Sequence, residues 1–138
     1  MSGDRQRVSS GSPYEPRIGF SRAVRVGDRV LVSGTAPIWP DGSVDQDAAV
    51  QMRRCLEIIL EALAEAGAGA ADVVRTRTYL VDAADGVAVG DVHGEVFGEV
   101  RPTSTMVVVR GFLDPRWKVE VEAEAALEGS IGSVAPTA

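Results

Sequence analysis

Val119, Val121, Ala123 and Ala125 alternate with Glu120, Glu122 and Glu124. A period of two across residues 117–127 sets the apolar side chains on one face of a β-strand and the carboxylates on the other. Such a strand needs a core on one side only, so it belongs in a sheet with helices laid against its apolar face. The matching helix stands upstream. Met52, Leu56, Ile59, Leu60 and Leu63 follow the spacing of one helical face, and Arg53, Arg54, Glu57, Glu61 and Glu65 fill the other. Asp45 or Asp47 is placed to cap its start, and Gly67 with Gly69 to stop it.

Residues 21–26 and 29–33 are β-rich runs joined by Gly27-Asp28, a hairpin signal in which Gly takes a positive φ. Val30, Leu31 and Val32 are consecutive, which predicts a strand covered on both faces. Residues 72–82 read as a strand through Val73, Val74, Thr76, Thr78, Tyr79, Leu80 and Val81. A second helix, begun by Asp82 or Asp85, carries Val87, Val92, Val96 and Phe97. Gly86, Gly90 and Gly94 on one of its faces permit close approach of another backbone. Residues 101–109 enter a further strand. The order β-β-α-β-α-β-β predicts an α+β fold, a mixed sheet with two helices on one face. One domain is expected over residues 17–128. Residues 1–16, rich in Ser, Gly, Pro and Arg, read as a mobile arm, and 129–138 as a flexible tail. A chain of 138 residues has no spare element for the second sheet face, which predicts oligomerisation through it.

Composition narrows the function classes. The formal net charge of -6 argues against a nucleic-acid partner, which calls for an excess of phosphate-neutralising cations. Six arginines within the first 29 residues read as a solvated, Arg-flecked surface. Cys55, the only cysteine, falls inside the first helix and reads as a packing residue; no intrachain disulfide is possible. No apolar run approaches the roughly 18 residues that span a membrane, and the N-terminus lacks a signal-peptide core, so a cytoplasmic protein is expected. His93, the only histidine, has no Cys, Asp or Glu at ligand spacing; it reads as structural, and no metal site is expected.

Arg101-Pro102-Thr103-Ser104-Thr105 is the stretch with chemistry in it. A guanidinium beside hydroxyls and backbone donors at the mouth of a strand suits a small carboxylate. A polar loop with a solvated Arg101 fits the same residues.

Residues 18–28, then Val32-Ser33-Gly34-Thr35-Ala36-Pro37, resemble the opening hairpin of the Rid (reactive intermediate deaminase) family, also called YjgF or endoribonuclease L-PSP. Phe97-Gly98-Glu99, residues 101–107 and Val119-Glu120-Val121-Glu122-Ala123 continue the likeness in order, over about residues 17–127. The resemblance implies a chorismate-mutase-like fold and a homotrimer packed sheet to sheet, with clefts at the subunit interfaces. It implies hydrolysis of enamines and imines, such as 2-aminoacrylate, to 2-oxo acids and ammonia without cofactor or metal. By this likeness Glu120 holds the attacking water, and Thr105 offers a backbone carbonyl to it. Ser33 and Gly34 line the cleft. The family's arginine is replaced by Thr103, a cleft tyrosine by Phe20 and a helix asparagine by Gly90, with Arg101 two residues upstream to stand in as anion anchor. These departures mark a divergent subgroup with altered or weakened substrate choice. They leave three readings: an imine or enamine hydrolase, a non-catalytic small-molecule-binding trimer, and, least favoured by the charge, a ribonuclease or translation inhibitor.

Overall fold

The computed structural model describes residues 5–128. Six strands form one sheet: β1 (Arg5–Val8), β2 (Ala23–Val26), β3 (Arg29–Thr35), β4 (Val73–Leu80), β5 (Thr103–Val108) and β6 (Val119–Ala126). Their order across it is β1-β2-β3-β6-β4-β5. Only β4 and β5 run parallel, as expected for two strands joined by a helix. The helices are α1 (Ala48–Glu65) and α2 (Gly86–Phe97). The architecture is the α+β, mixed-sheet, two-helix arrangement that the residue pattern predicts, with one strand added.

That strand corrects the expected arm. Residues 5–8 pair antiparallel with β2, from Arg5 opposite Val26 to Val8 opposite Ala23. Val8 is buried, and one π-helical turn at Glu15–Gly19 follows it. Residues 129–138, expected as a tail, lie outside the described residues.

Local chemistry sets the remaining boundaries. Gly27 takes the β2–β3 turn at φ 61°. Asp47 caps α1 by accepting the Ala49 N–H. The helix ends in a Schellman turn: Ala68 N–H donates to Leu63 O, Gly67 N–H donates to Ala64 O, and Gly67 sits at φ 86°. At the other helix, Asp82 accepts the Ala84 N–H and caps a 3₁₀ turn leading into α2.

Between helices and sheet, Met52, Cys55, Leu56, Ile59 and Leu63 meet Val30, Val32, Val119, Val121, Ala123 and Ala125, all buried. Val89, Val92 and Phe97 of α2 complete this core. Gln51, wholly buried on α1, fastens the start of β6 from within. Its amide donates to the carbonyls of Asp45 and Arg116, at 2.6 and 2.9 Å, and accepts the Lys118 N–H at 2.7 Å.

The other face of the sheet is uncovered in the single chain. Leu31 and Val107 remain exposed on it, among a tiling of charges. Arg29 pairs with Glu124 at 3.1 Å and Arg77 with Glu122 at 3.6 Å, while the Tyr79 hydroxyl donates to Glu122. All six residues of β5 are exposed.

Candidate functional site

The pairing of β3 with β6 slips between Val32 and Thr35: Val32 stands opposite Ala123 and Thr35 opposite Val121. Three steps on one strand answer two on the other, so β3 carries one extra residue, a bulge centred on Ser33 and Gly34. The bulge reverses the alternation. Thr35 turns into the core, and Gly34 is left facing out with nothing but its backbone. Glu120 lies over this opening. A Cβ built on Gly34 would stand 2.9 Å from Glu120 Oε1, so glycine is what makes room for the carboxylate.

Behind the bulge runs Arg22, read from sequence as one of the solvated arginines and in fact buried. Its Nη1 donates to Gly34 O at 2.8 Å and to Thr35 Oγ1 at 2.9 Å. Its guanidinium carbon lies 5.5 Å from the centre of the Phe20 ring. Ser33 joins the same cluster, its hydroxyl donating to Ser21 O at 2.7 Å and its N–H to Arg22 O at 2.9 Å. Buried Glu15 stands 4.0 Å from Arg22 Nε and accepts the hydroxyls of Ser9 and Ser10 and the Ser10 N–H. Burial pushes the Glu15 carboxyl up, but those hydrogen bonds and the Arg22 charge outweigh it and hold it below its ordinary value.

Glu120 differs from its strand neighbours. Glu122 and Glu124 are engaged by Tyr79, Arg77 and Arg29, whereas Glu120 makes no hydrogen bond or ion pair among the described residues. Burial raises its pKa above the usual glutamate value, Arg22 pulls it back in part, and Glu122 adds to the rise. A half-buried carboxylate with unspent acceptor oxygens, set beside a cation and an open backbone, is equipped to hold and deprotonate one water.

Of the residues singled out by sequence, Phe20, Ser33, Gly34 and Glu120 thus come together in one chain. Arg101, Thr103 and Thr105 do not join them. Along β4, Glu120 shares a row with Tyr79 and Val107, Thr105 with Glu122, and Thr103 lies level with Glu124. Thr103 is therefore four residues and two strands from Glu120, roughly 16 Å at ordinary strand spacings. The Thr103 hydroxyl is occupied, donating to Val74 O at 2.9 Å. Arg101 is exposed at φ 55°, the one non-glycine residue at positive φ among those described. Its N–H donates to Phe97 O at 2.8 Å, so it ends α2 and turns the chain into β5.

Arg22 and Glu15 were missed because nothing in an Arg-rich opening stretch distinguishes a buried guanidinium from a wet one. Cys55 is buried, with burial pushing its thiol pKa up, which leaves it inert. Among the described residues no group of three His, Cys, Asp or Glu side chains could hold a metal ion. Among the described residues no helix is long and apolar enough to cross a membrane.

A mixed sheet backed by two helices, with a glutamate over a β3 bulge, defines a chorismate-mutase-like domain of the YjgF type. Comparison with known proteins agrees. The family model described as Endoribonuclease L-PSP matches residues 11–127. The chain therefore belongs to the endoribonuclease L-PSP (YjgF/Rid) family. An uncharacterized protein of Streptomyces coelicolor is 46% identical over 121 residues, 87% of this chain and 90% of that one. The crystal structure of Rv2704 from Mycobacterium tuberculosis, of the YjgF/YER057c/UK114 family, is 45% identical with a TM-score of 0.83, covering 89% of this chain and 99% of that one. The 3-aminoacrylate deaminase RutC of Acinetobacter baylyi is 34% identical, covering 83% of this chain and 86% of that protein.

Proposed function

We propose that this protein hydrolyses small enamine or imine metabolites to the 2-oxo acid and ammonia. The observation that carries the reading is Glu120: it has unspent acceptor oxygens and a raised pKa, and it lies over the Ser33–Gly34 bulge in a chain whose relatives include a 3-aminoacrylate deaminase. An enamine first takes a proton from solvent at carbon to become the iminium ion, the form in which an imine also enters. Glu120 then accepts a proton from water as the oxygen bonds to the C=N carbon, giving a carbinolamine. The same carboxyl returns that proton to nitrogen, the C–N bond breaks, and ammonia leaves as the carbonyl forms. The hydroxyl proton passes to solvent as the carbonyl forms, replacing the one taken at carbon, so the glutamate ends as it began.

The far end of the substrate, a carboxylate on this reading, needs groups that one chain does not bring to Glu120. Thr105 and Thr103 lie two strands away on the first half of β5 and Arg101 just ahead of it, and the uncovered sheet face supplies the means to bring a second copy near. We therefore place the complete site between subunits of a homotrimer, with Arg101 at its mouth as anion anchor. Purified protein given freshly generated 2-aminoacrylate or 2-iminobutyrate should release ammonia well above the buffer rate. A rate equal to buffer across several imino acids overturns the proposal.

A second reading has its own support. Thr103 carries no charge and its hydroxyl is spent on Val74, which suits a trimer that binds a small metabolite without turning it over. Thr103→Arg separates the two. A gain of deaminase activity marks a weakened enzyme, and no gain marks a binding protein.

A further inference from the structure

His93, a lone histidine with no metal partners, is joined to the protein surface. Thr76 of β4 is wholly buried; its Oγ1 lies 2.8 Å from His93 Nε2 on α2 and 2.9 Å from Ser104 Oγ on β5. The Thr76 hydroxyl donates its one proton to Ser104. In that arrangement it accepts from the ring, which goes with the Nε2–H tautomer of His93. Phe97 packs against the ring, with centroids 4.8 Å apart.

Charges do not disturb this chain of donors. Those on α2 and on the elements about it are Asp91 and Glu95, Arg53, Arg54, Glu57, Glu61 and Glu65 of α1, Asp72 and Asp85 of the flanking turns, and Arg75 and Arg77 of β4. Glu95 is held by Arg53 at 3.0 Å, Asp72 accepts the Gly69 N–H, and Arg77 faces Glu122. Burial alone acts on the imidazole and holds its pKa below the ordinary value, so the ring is neutral at neutral pH.

The chain ends at Ser104, which is exposed and already accepts from Thr76. No hydrogen bond donated by Ser104 itself occurs among the described residues, which leaves its own hydrogen free for another acceptor. A hydroxyl whose acceptor side is fixed from behind is a donor of set direction, and it is presented in place of a positive charge on the strand where the sequence reading sought a clamp. Ser104 stands on the opposite face of β5 from Thr103, whose hydroxyl is spent.

We propose that Ser104 is an oriented hydrogen-bond donor to an oxygen of the bound ligand, with Thr76 and His93 as its positioning residues. The assignment rests on the interface cleft proposed above, and requires in addition that the edge strand β5 turn its α2-side face, on which Ser104 lies, toward that cleft. The ligand it takes is a small 2-oxo or 2-imino acid, with Ser104 donating to its carboxylate end.

Binding of 2-oxobutyrate to the intact protein, followed by calorimetry, tests this apart from turnover. Ser104→Ala and Thr76→Val should each weaken binding by about tenfold or more, the worth of one hydrogen bond to a charged group. Thr76→Ser, which keeps the hydroxyl, should stay close to wild type. The His93 ring nitrogen resonances should move when ligand binds the wild type and stay still in Ser104→Ala. Wild-type affinity in Ser104→Ala, or equal losses in Thr76→Val and Thr76→Ser, overturns the proposal. So does a wild-type protein that does not bind 2-oxobutyrate. A protein that binds it through Ser104 yet releases no ammonia from 2-iminobutyrate leaves this assignment standing and sinks the hydrolase reading alone.

Discussion

Glu120 Oε1 occupies space that a side chain at Gly34 would need: a Cβ there comes within 2.9 Å of it. Gly34 is not at positive φ, so alanine meets no backbone strain. What must give is the flexible end of Glu120. Gly34→Ala should therefore leave thermal stability within about 1 kcal/mol of wild type. The displaced carboxylate should lower kcat on 2-iminobutyrate by roughly tenfold to a hundredfold. Unfolding curves and steady-state rates on the same preparation check both halves.

Glu120 must be ionised to take a proton from water, and its pKa is raised by burial. The acid limb of kcat/KM should then lie above the usual glutamate range, with activity rising as pH rises through it. Glu120→Gln should remove that limb and cost about 10²–10⁴ in rate. Stability should move the other way. Because the folded state holds this proton more tightly than the unfolded one, wild type loses stability as pH climbs from the ordinary glutamate value through the raised pKa. Glu120→Gln should thus unfold later than wild type at neutral pH, and the two should converge below that value.

The Glu15 carboxyl is shifted downward, so its sign is opposite. Its contribution is present above the ordinary value and lost as pH falls through the lowered one. Glu15→Gln should destabilise by about 1–3 kcal/mol at neutral pH, since it leaves buried Arg22 without its nearer carboxylate. The difference should fade in acid. Denaturant melts across pH decide it.

Gln51→Leu tests the clamp on β6. It fills similar space but strands the carbonyls of Asp45 and Arg116 and the N–H of Lys118. A loss of about 2–4 kcal/mol is expected from those unsatisfied groups, with native secondary structure by circular dichroism.

Arg101 combines a strained backbone with a candidate side chain, and two variants separate them. Arg101→Gly adopts φ 55° without penalty and should hold or gain up to about 1 kcal/mol of stability. Arg101→Ala keeps the strain. If the guanidinium anchors the substrate, both should raise KM by a similar factor; unchanged KM in both assigns Arg101 to the turn alone.

Much of the scaffold was legible in the chain. The 3.6-residue spacing from Met52 to Leu63, the two-residue alternation from Val119 to Ala125, and Gly27 at its turn each obey a local rule. β1 was not legible, because only Val8 of its four residues is buried and an edge strand held through its backbone leaves little hydrophobic trace. Nor was the Ser33–Gly34 bulge, which depends on register against residues ninety positions away. Glu120, Ser33, Gly34 and Phe20 were picked out by resemblance and do cluster. Thr103 and Ser104 could not be ranked from sequence, since parity on a strand is known only once its partner is. His93 was read as structural; its bond to Thr76 was hidden because seventeen residues separate the two.

The π-helical turn at Glu15–Gly19 gives the first residues of this protein a task far from themselves. Ser9 and Ser10 steady Glu15, Glu15 neutralises Arg22, and Arg22 bears on an acid encoded almost a hundred codons later. Proteolytic nicking ahead of Glu15 would loosen that succession from its upstream end. Amino-terminal trimming should accordingly register first as a changed pH optimum, before any loss of folded protein.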